Sequence, residues 1–247
     1  MPIRIVGSYL SPYVRKVLVC LHLKNLPYEI DPIVPFYGND DFGKVSPLRR
    51  IPVLIDEDAT LCDSTVICEY LNDRYPDPPL LPGDATSRAL ARWYEEFADS
   101  RLGEVLIWHL YNQVVIRRFV WGEGPDESLL EKAHREEIPS VLDYLESLLP
   151  PAGFLFDTIS IADIALAGFF RNAKFARYEI DQVQWPNAST YVSRVLAQEA
   201  FVALQRFELV CLRTPIQDHR AALLEAGAPI SRETFGSSAP RRGVLAV

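Results

Sequence analysis

Four prolines fall within nine residues at Pro76-Asp77-Pro78-Pro79-Leu80-Leu81-Pro82-Gly83-Asp84. Neither a helix interior nor a central strand passes through such a run, because each ring removes an N–H donor and fixes φ. The chain is therefore cut into two parts, and the pattern changes across the cut. Ahead of it, short apolar runs rich in branched residues alternate with one helical pattern. Behind it, the apolar spacing is helical throughout. This predicts residues 1–76 as one domain, 77–84 as linker, 85–213 as an all-helical domain, and 214–247 as a last short helix and tail.

In the first part, Pro2-Ile3-Arg4-Ile5-Val6 reads as a buried strand. Val14, Val17, Leu18, Leu21 and Leu23 then fall on one face of a helix. Ser11 and Pro12 stand between them, a capping residue followed by a proline suited to the first helical turn. A helix N-terminus carries unpaired N–H groups and partial positive charge, so an anion placed there is favoured. Ser11 reads by itself as a cap; its hydroxyl also faces the place where a thiolate would be stabilised.

Tyr28 to Val34 predicts a second strand, and a helix between two strands implies a right-handed βαβ unit with a parallel pair. Residues 35–47 read as irregular, with one short helix. A third strand is entered through Ile51-Pro52, a fourth covers Ala59-Thr60-Leu61, and Asp63-Ser64 caps a helix over 65–75. Past the linker, a long amphipathic pattern runs from Thr86 to Phe119 with a kink near Gly103. Another runs from Pro125-Asp126 to Leu149 and is kinked at Pro139. Ser160-Ile161-Ala162-Asp163 is a capping box, and its role reads as structural. Further helices are expected over 188–196, 200–209 and 217–226.

The chain of 247 residues is 49% hydrophobic and 23% charged, with net charge -8. That balance suits a globular protein and argues against nucleic acid, which needs a basic face. No apolar run is long enough to span a bilayer, and no export leader is seen, so no membrane partner and a cytoplasmic location are expected. Cys20, Cys62, Cys68 and Cys211 form no C-x-x-C pair and no metal spacing with the four histidines. No metal is expected.

Four stretches, in order, give these readings a family. They are S-P-Y-V-R-K-V from Ser11, R-R-I-P-V-L from Arg49, D-S-T-V-I-C-E-Y-L from Asp63, and F-L-F-D-T-I-S-I-A-D-I-A-L from Phe154. With them the chain resembles a serine-type cytosolic glutathione transferase. The resemblance implies α/β plus all-α architecture, a thioredoxin-like domain (βαβ-α-ββα) followed by an all-helical domain, and a homodimer. It implies glutathione as co-substrate and a small hydrophobic electrophile as the second substrate, in detoxification chemistry.

Carried over position by position, the resemblance makes Ser11 the hydroxyl that hydrogen-bonds the glutathione sulfur. Arg15 adds positive field there, with an ion pair as its alternative role. The main chain of Ile51, before a cis Pro52, pairs with the cysteinyl backbone. Asp63 and Ser64 receive the γ-glutamyl group, and Arg50 reaches the glycyl carboxylate. Arg49 departs from the usual glycine, and Asp63 from the commoner glutamate. The electrophile pocket is expected between the domains, from Tyr9, Leu10, Tyr13, Trp108, Tyr111 and Asn112. Tyr9, two residues ahead of Ser11, also suits packing at a strand end. The S-S-C motif of the zeta isomerases is absent, which disfavours a maleylacetoacetate isomerase. A glutathione-dependent isomerase, lyase or reductase on the same scaffold, or a non-catalytic ligand-binding member, are the alternative readings. The tail is read as a lid, a partner contact or a disordered end.

Overall fold

The computed structural model describes residues 2–242. The described chain forms two compact units. One comprises the residues up to Pro78 together with those from Val202 onward; the other is Pro79–Phe201. The first boundary falls two residues past the expected end at Pro76. The second differs from expectation: the segment from Val202 belongs with the N-terminal unit, not with an all-helical domain reaching residue 213. Its side chains are spent on the sheet and the first helix, as described below.

In the first unit, β1 (Ile3–Val6), β2 (Tyr28–Asp31), β3 (Val53–Ile55) and β4 (Thr60–Cys62) make a four-stranded sheet in the order β2-β1-β3-β4. β1 and β2 are parallel, with Ile5 opposite Ile30, while β3 lies antiparallel to β1 and β4 antiparallel to β3. β2 is shorter than the sequence suggested, because Pro32 cannot donate to a ladder. α1 (Pro12–Leu23) makes the crossover and packs against α3 (Ser64–Arg74). A 3-10 turn at Pro35–Tyr37 and α2 (Asp40–Val45) follow β2. Val6, Ile33, Phe42 and Val53 form a cluster there, with Ile51 and Phe235 packed on its margin.

The second unit holds α4 (Ala85–Phe97), which runs into a π-helical segment, Ala98–Trp121. The helix type changes at Ala98, with helical backbone on both sides of the junction. Next come α5 (Glu127–Lys132), a π turn at Ala133–Glu137, and α6 (Ile138–Leu148), with helical backbone at each junction, so Pro139 lies inside one run as expected and the widened π turn falls just ahead of it. α7 (Ile161–Phe175) is apolar nearly all round and buried along most of its length, and it packs on the π segment, α4 and α8 (Pro186–Leu196). Asp163, fully buried in its first turn, accepts from Ser160 N at 2.8 Å, Ser160 Oγ at 2.7 Å, Leu155 N at 2.9 Å and Tyr191 OH at 2.5 Å. The expected capping box is present and extends to a second helix.

α9 (Glu199–Arg213) carries the division between the units, and a 3-10 turn (Ile216–Asp218) leads to α10 (His219–Glu225). The tail is neither a lid nor loose over the described residues. It runs back along the free edge of β2, with a parallel bridge between Ile30 and Ile230 and an antiparallel one between Gly38 and Gly236. Residues 243–247 of the expected tail lie outside the described residues.

Candidate functional site

Gly7 ends β1 at φ 152, and a Cβ there would stand 2.5 Å from Val14. Glycine therefore lets the loop turn tightly against the start of α1. Ser11 is the N-cap, in extended conformation at φ -77 and ψ 128. Its Oγ accepts from Val14 N at 3.3 Å, and its hydroxyl proton is donated to no described residue. The half-exposed side chain thus keeps one donor for a ligand at a positive helix end. That is the arrangement that stabilises a thiolate.

Arg15 points elsewhere. Its Nε donates to Glu208 Oε1 at 2.6 Å, and the two side chains are 1% and 2% exposed. Of the two roles weighed for Arg15, the ion pair is the one observed. The guanidinium fixes α1 to α9 and is closed to a ligand, which corrects its assignment as a catalytic residue. Glu208 carries no motif and was missed. Tyr9 is corrected as well: it is 1% exposed, its ring lies 5.0 Å from that of Phe207, and burial pushes its phenol far above the ordinary value. It packs against α9 through Phe207. Leu10 and Tyr13 are half-buried beside the loop.

The Ile51–Pro52 peptide bond is cis. Among the described residues the Ile51 main chain makes no hydrogen bond, so its N–H and C=O are open for an extended ligand. The loop before it is held from within. Ser46 Oγ accepts from Arg50 N at 2.9 Å and donates to Arg50 O at 2.8 Å. Arg49 takes φ 51, a backbone conformation that glycine adopts most readily. Its guanidinium donates to Gly38 O at 2.6 Å and Asn39 O at 2.9 Å, over a surface that Gly43 leaves open. Arg49 is thus spent on the turn after β2. Arg50, next to it, is exposed, and its guanidinium makes no hydrogen bond to a described residue.

Asp63, not Ser64, caps α3. It has φ 78, left-handed for a side chain with a Cβ, and its Oδ1 accepts from Thr65 N at 2.9 Å and Val66 N at 3.2 Å. Strain of this kind gathers at binding sites. Asp63 is exposed, with both of these cap bonds made to Oδ1, and Ser64 is buried as the first residue of the helix. The cap-only reading of Ser64 is thereby removed. In the other unit, Trp108 and Asn112 are half-buried on the π segment and Tyr111 is 5% exposed.

A model of the glutathione S-transferase N-terminal domain matches residues 5–79, and one of the C-terminal domain matches residues 113–194. Rat maleylacetoacetate isomerase is 30% identical over 194 residues, covering 75% of this chain and 84% of that protein. The chain belongs to the glutathione S-transferase family. Within the family, a Rhodospirillum rubrum glutathione S-transferase structure is 29% identical at a TM-score of 0.75, covering 82% of this chain and 91% of the other. A Methylobacterium radiotolerans member, solved with glutathione sulfonate, is 26% identical at a TM-score of 0.67, covering 82% and 94%. The thioredoxin-like sheet with a following helical region is the family's fold.

Proposed function

We propose that the chain is a glutathione transferase that delivers the thiolate of glutathione to a small hydrophobic electrophile. The observation that carries this is the unspent hydroxyl proton of Ser11 at the N-terminus of α1. Ser11 donates to the sulfur, the helix end supplies positive potential, and the thiol pKa falls from its ordinary value of about 8.5. The thiol proton goes to solvent. The thiolate then attacks an electrophilic carbon, forming a C–S bond while the leaving group departs with its electron pair. The open main chain of Ile51, beside Pro52, holds the cysteinyl segment. The exposed oxygen of Asp63 takes the γ-glutamyl ammonium, the α3 N-terminus at Ser64 takes its carboxylate, and Arg50 binds the glycyl carboxylate bidentately. Leu10 and Tyr13, half-buried beside the loop that carries Ser11, are proposed to contact the electrophile. The enzyme acts in the cytoplasm as a homodimer and contributes to detoxification.

Calorimetry with glutathione on the wild type, Ser11→Ala and Ser64→Ala tests this. Wild type should bind, Ser64→Ala should weaken binding, and Ser11→Ala should raise the bound thiol's pKa with little loss of affinity. No binding at millimolar glutathione would overturn the reading in favour of a non-catalytic ligand-binding member. A second reading, glutathione-dependent isomerisation, is favoured by the likeness to the rat enzyme. It shares the site and would show as cis-to-trans turnover of an acid whose C=C is conjugated to a carbonyl, without net consumption of glutathione.

A further inference from the structure

β2 is the outer strand of the sheet, and its free edge is an open row of donors and acceptors. The chain closes that edge with its own C-terminal segment. Ile30 N donates to Pro229 O at 2.7 Å, and Ser231 N donates to Ile30 O at 3.0 Å. Beyond that pairing the segment is tied down by Asp31, a fully buried carboxylate at the end of β2. Asp31 accepts from Thr234 Oγ1 at 2.8 Å, Phe235 N at 2.6 Å and Arg220 Nη1 at 3.1 Å. Arg4 adds an ion pair to Glu233 at 3.1 Å and lies over the Phe235 ring.

The next few residues reach the turn after β2. Asn39 N donates to Phe235 O at 2.7 Å, Ser237 N and Oγ donate to Tyr37 O at 2.6 and 2.9 Å, and Arg241 N donates to Phe36 O at 2.7 Å. Arg241 also pairs with Asp40 at 2.5 Å. Tyr37, Gly38 and Asn39 are thus held from the tail side. From the other side the Arg49 guanidinium grips the Gly38 and Asn39 carbonyls. Arg49 is the immediate neighbour of Arg50, Ile51 and Pro52. Hydrogen bonds lead from the tail through 36–40 to Arg49, and the chain itself carries the last step from Arg49 to the loop proposed to hold the glycyl and cysteinyl parts of glutathione.

We propose that the segment 229–241 is a positioning strap of the glutathione site: it fixes the turn 36–40, and through Arg49 it sets the ligand-ready shape of Arg50 and Ile51. The inference rests on the reading of that loop as the glutathione site. An unordered loop would pay its ordering cost on binding, so the strap acts on affinity and not on the thiolate at Ser11. Arg49 fits this account, since an arginine in place of the family's glycine supplies the grip through which the strap acts.

A chain ending at Arg232 removes the strap's grip on the turn while keeping the pairing with Ile30. Ser237→Pro removes both donors to Tyr37 in the full chain, in case the shortened protein does not fold. Expected are glutathione binding weakened about tenfold, the cost of ordering one or two segments, with kcat at saturating glutathione within about twofold of wild type. Amide exchange over residues 36–50 should quicken, and a synthetic peptide spanning 233–242 should restore both binding and protection in the shortened chain. A strap that only stabilises the fold would lower Tm and leave glutathione affinity and exchange over 36–50 as in wild type; that result overturns the proposal. If wild type binds no glutathione, the transferase reading fails. The exchange measurement then decides the strap by itself: faster exchange supports it, and unchanged exchange overturns it.

Discussion

Two serines open helices in this protein, and their hydroxyls end differently. Ser160 is 2% exposed and gives its proton to Asp163 at 2.7 Å. Ser11 accepts from Val14 N at the long distance of 3.3 Å and gives its proton to no described residue. In the sequence they are alike, a serine ahead of an apolar helix. What separates them is the third residue on. Asp163 stands there in one helix and consumes the serine; Val14 stands there in the other and cannot. A helix start whose donors and acceptors are matched specifies the fold, whereas one left half-matched is available for chemistry.

The sharpest test of that contrast is Asp163→Ala. It orphans two backbone N–H groups and two hydroxyls in a dry interior, and each orphan costs its desolvation. We expect a loss of roughly 3 kcal/mol or more in chemical unfolding. The folded remainder should bind glutathione as wild type does. A stable variant with weakened binding would break the division between fold and function.

Ser11→Ala should invert the pattern. Losing a weak cap costs stability less than about 1 kcal/mol. Losing a hydrogen bond to a thiolate is worth about 1.5–3 kcal/mol, so conjugation at neutral pH should slow by roughly ten- to a hundredfold. The pH–rate profile should shift to higher pH by one to two units, on the order of that energy. An unshifted profile would mean that the helix end alone activates the sulfur. Ser160→Ala completes the set: because Asp163 keeps its other donors, about 1 kcal/mol of stability is expected to go, with unchanged kinetics.

Much of this was legible in the sequence because it is local. The S-P start of α1, the capping box, the parallel β1–β2 pair and the proline-rich break all follow from residues a few positions apart. For Arg15 and Tyr9 the sequence left two roles open, because the partners that decide them, Glu208 and Phe207, are nearly two hundred residues away and carry no pattern. Asp31 was read only as part of a strand, although its carboxylate ties in the tail. Arg49 was seen as a departure from glycine. Its positive φ and its grip on Gly38 and Asn39 depend on a turn that composition left irregular. Long-range pairing of buried charge is what a single sequence hides.

His219 stands between the two serines in kind, with one ring nitrogen spent and the other not. Its Nε2–H is shared between Cys211 O at 2.9 Å and Thr214 O at 3.0 Å, while Nδ1 is buried without a hydrogen bond among the described residues. Burial holds its pKa below the ordinary 6.5, against the carbonyls and Asp218, which favour the charged form. In the folded state the ring therefore stays neutral at a pH where the unfolded chain has already taken up a proton. The sign follows: this part of the stability is complete above pH 6.5 and is lost as pH falls from 6.5 toward the lower folded pKa. The slope is no more than about 1.4 kcal/mol per pH unit. Urea unfolding between pH 7.5 and 5 should show that decline, and His219→Gln should reduce it, leaving the share of His22, whose pKa burial also lowers. A variant with the same slope as wild type would place the titration on another group, His22 first, and would show that the unpartnered Nδ1 of His219 carries no pH-dependent stability.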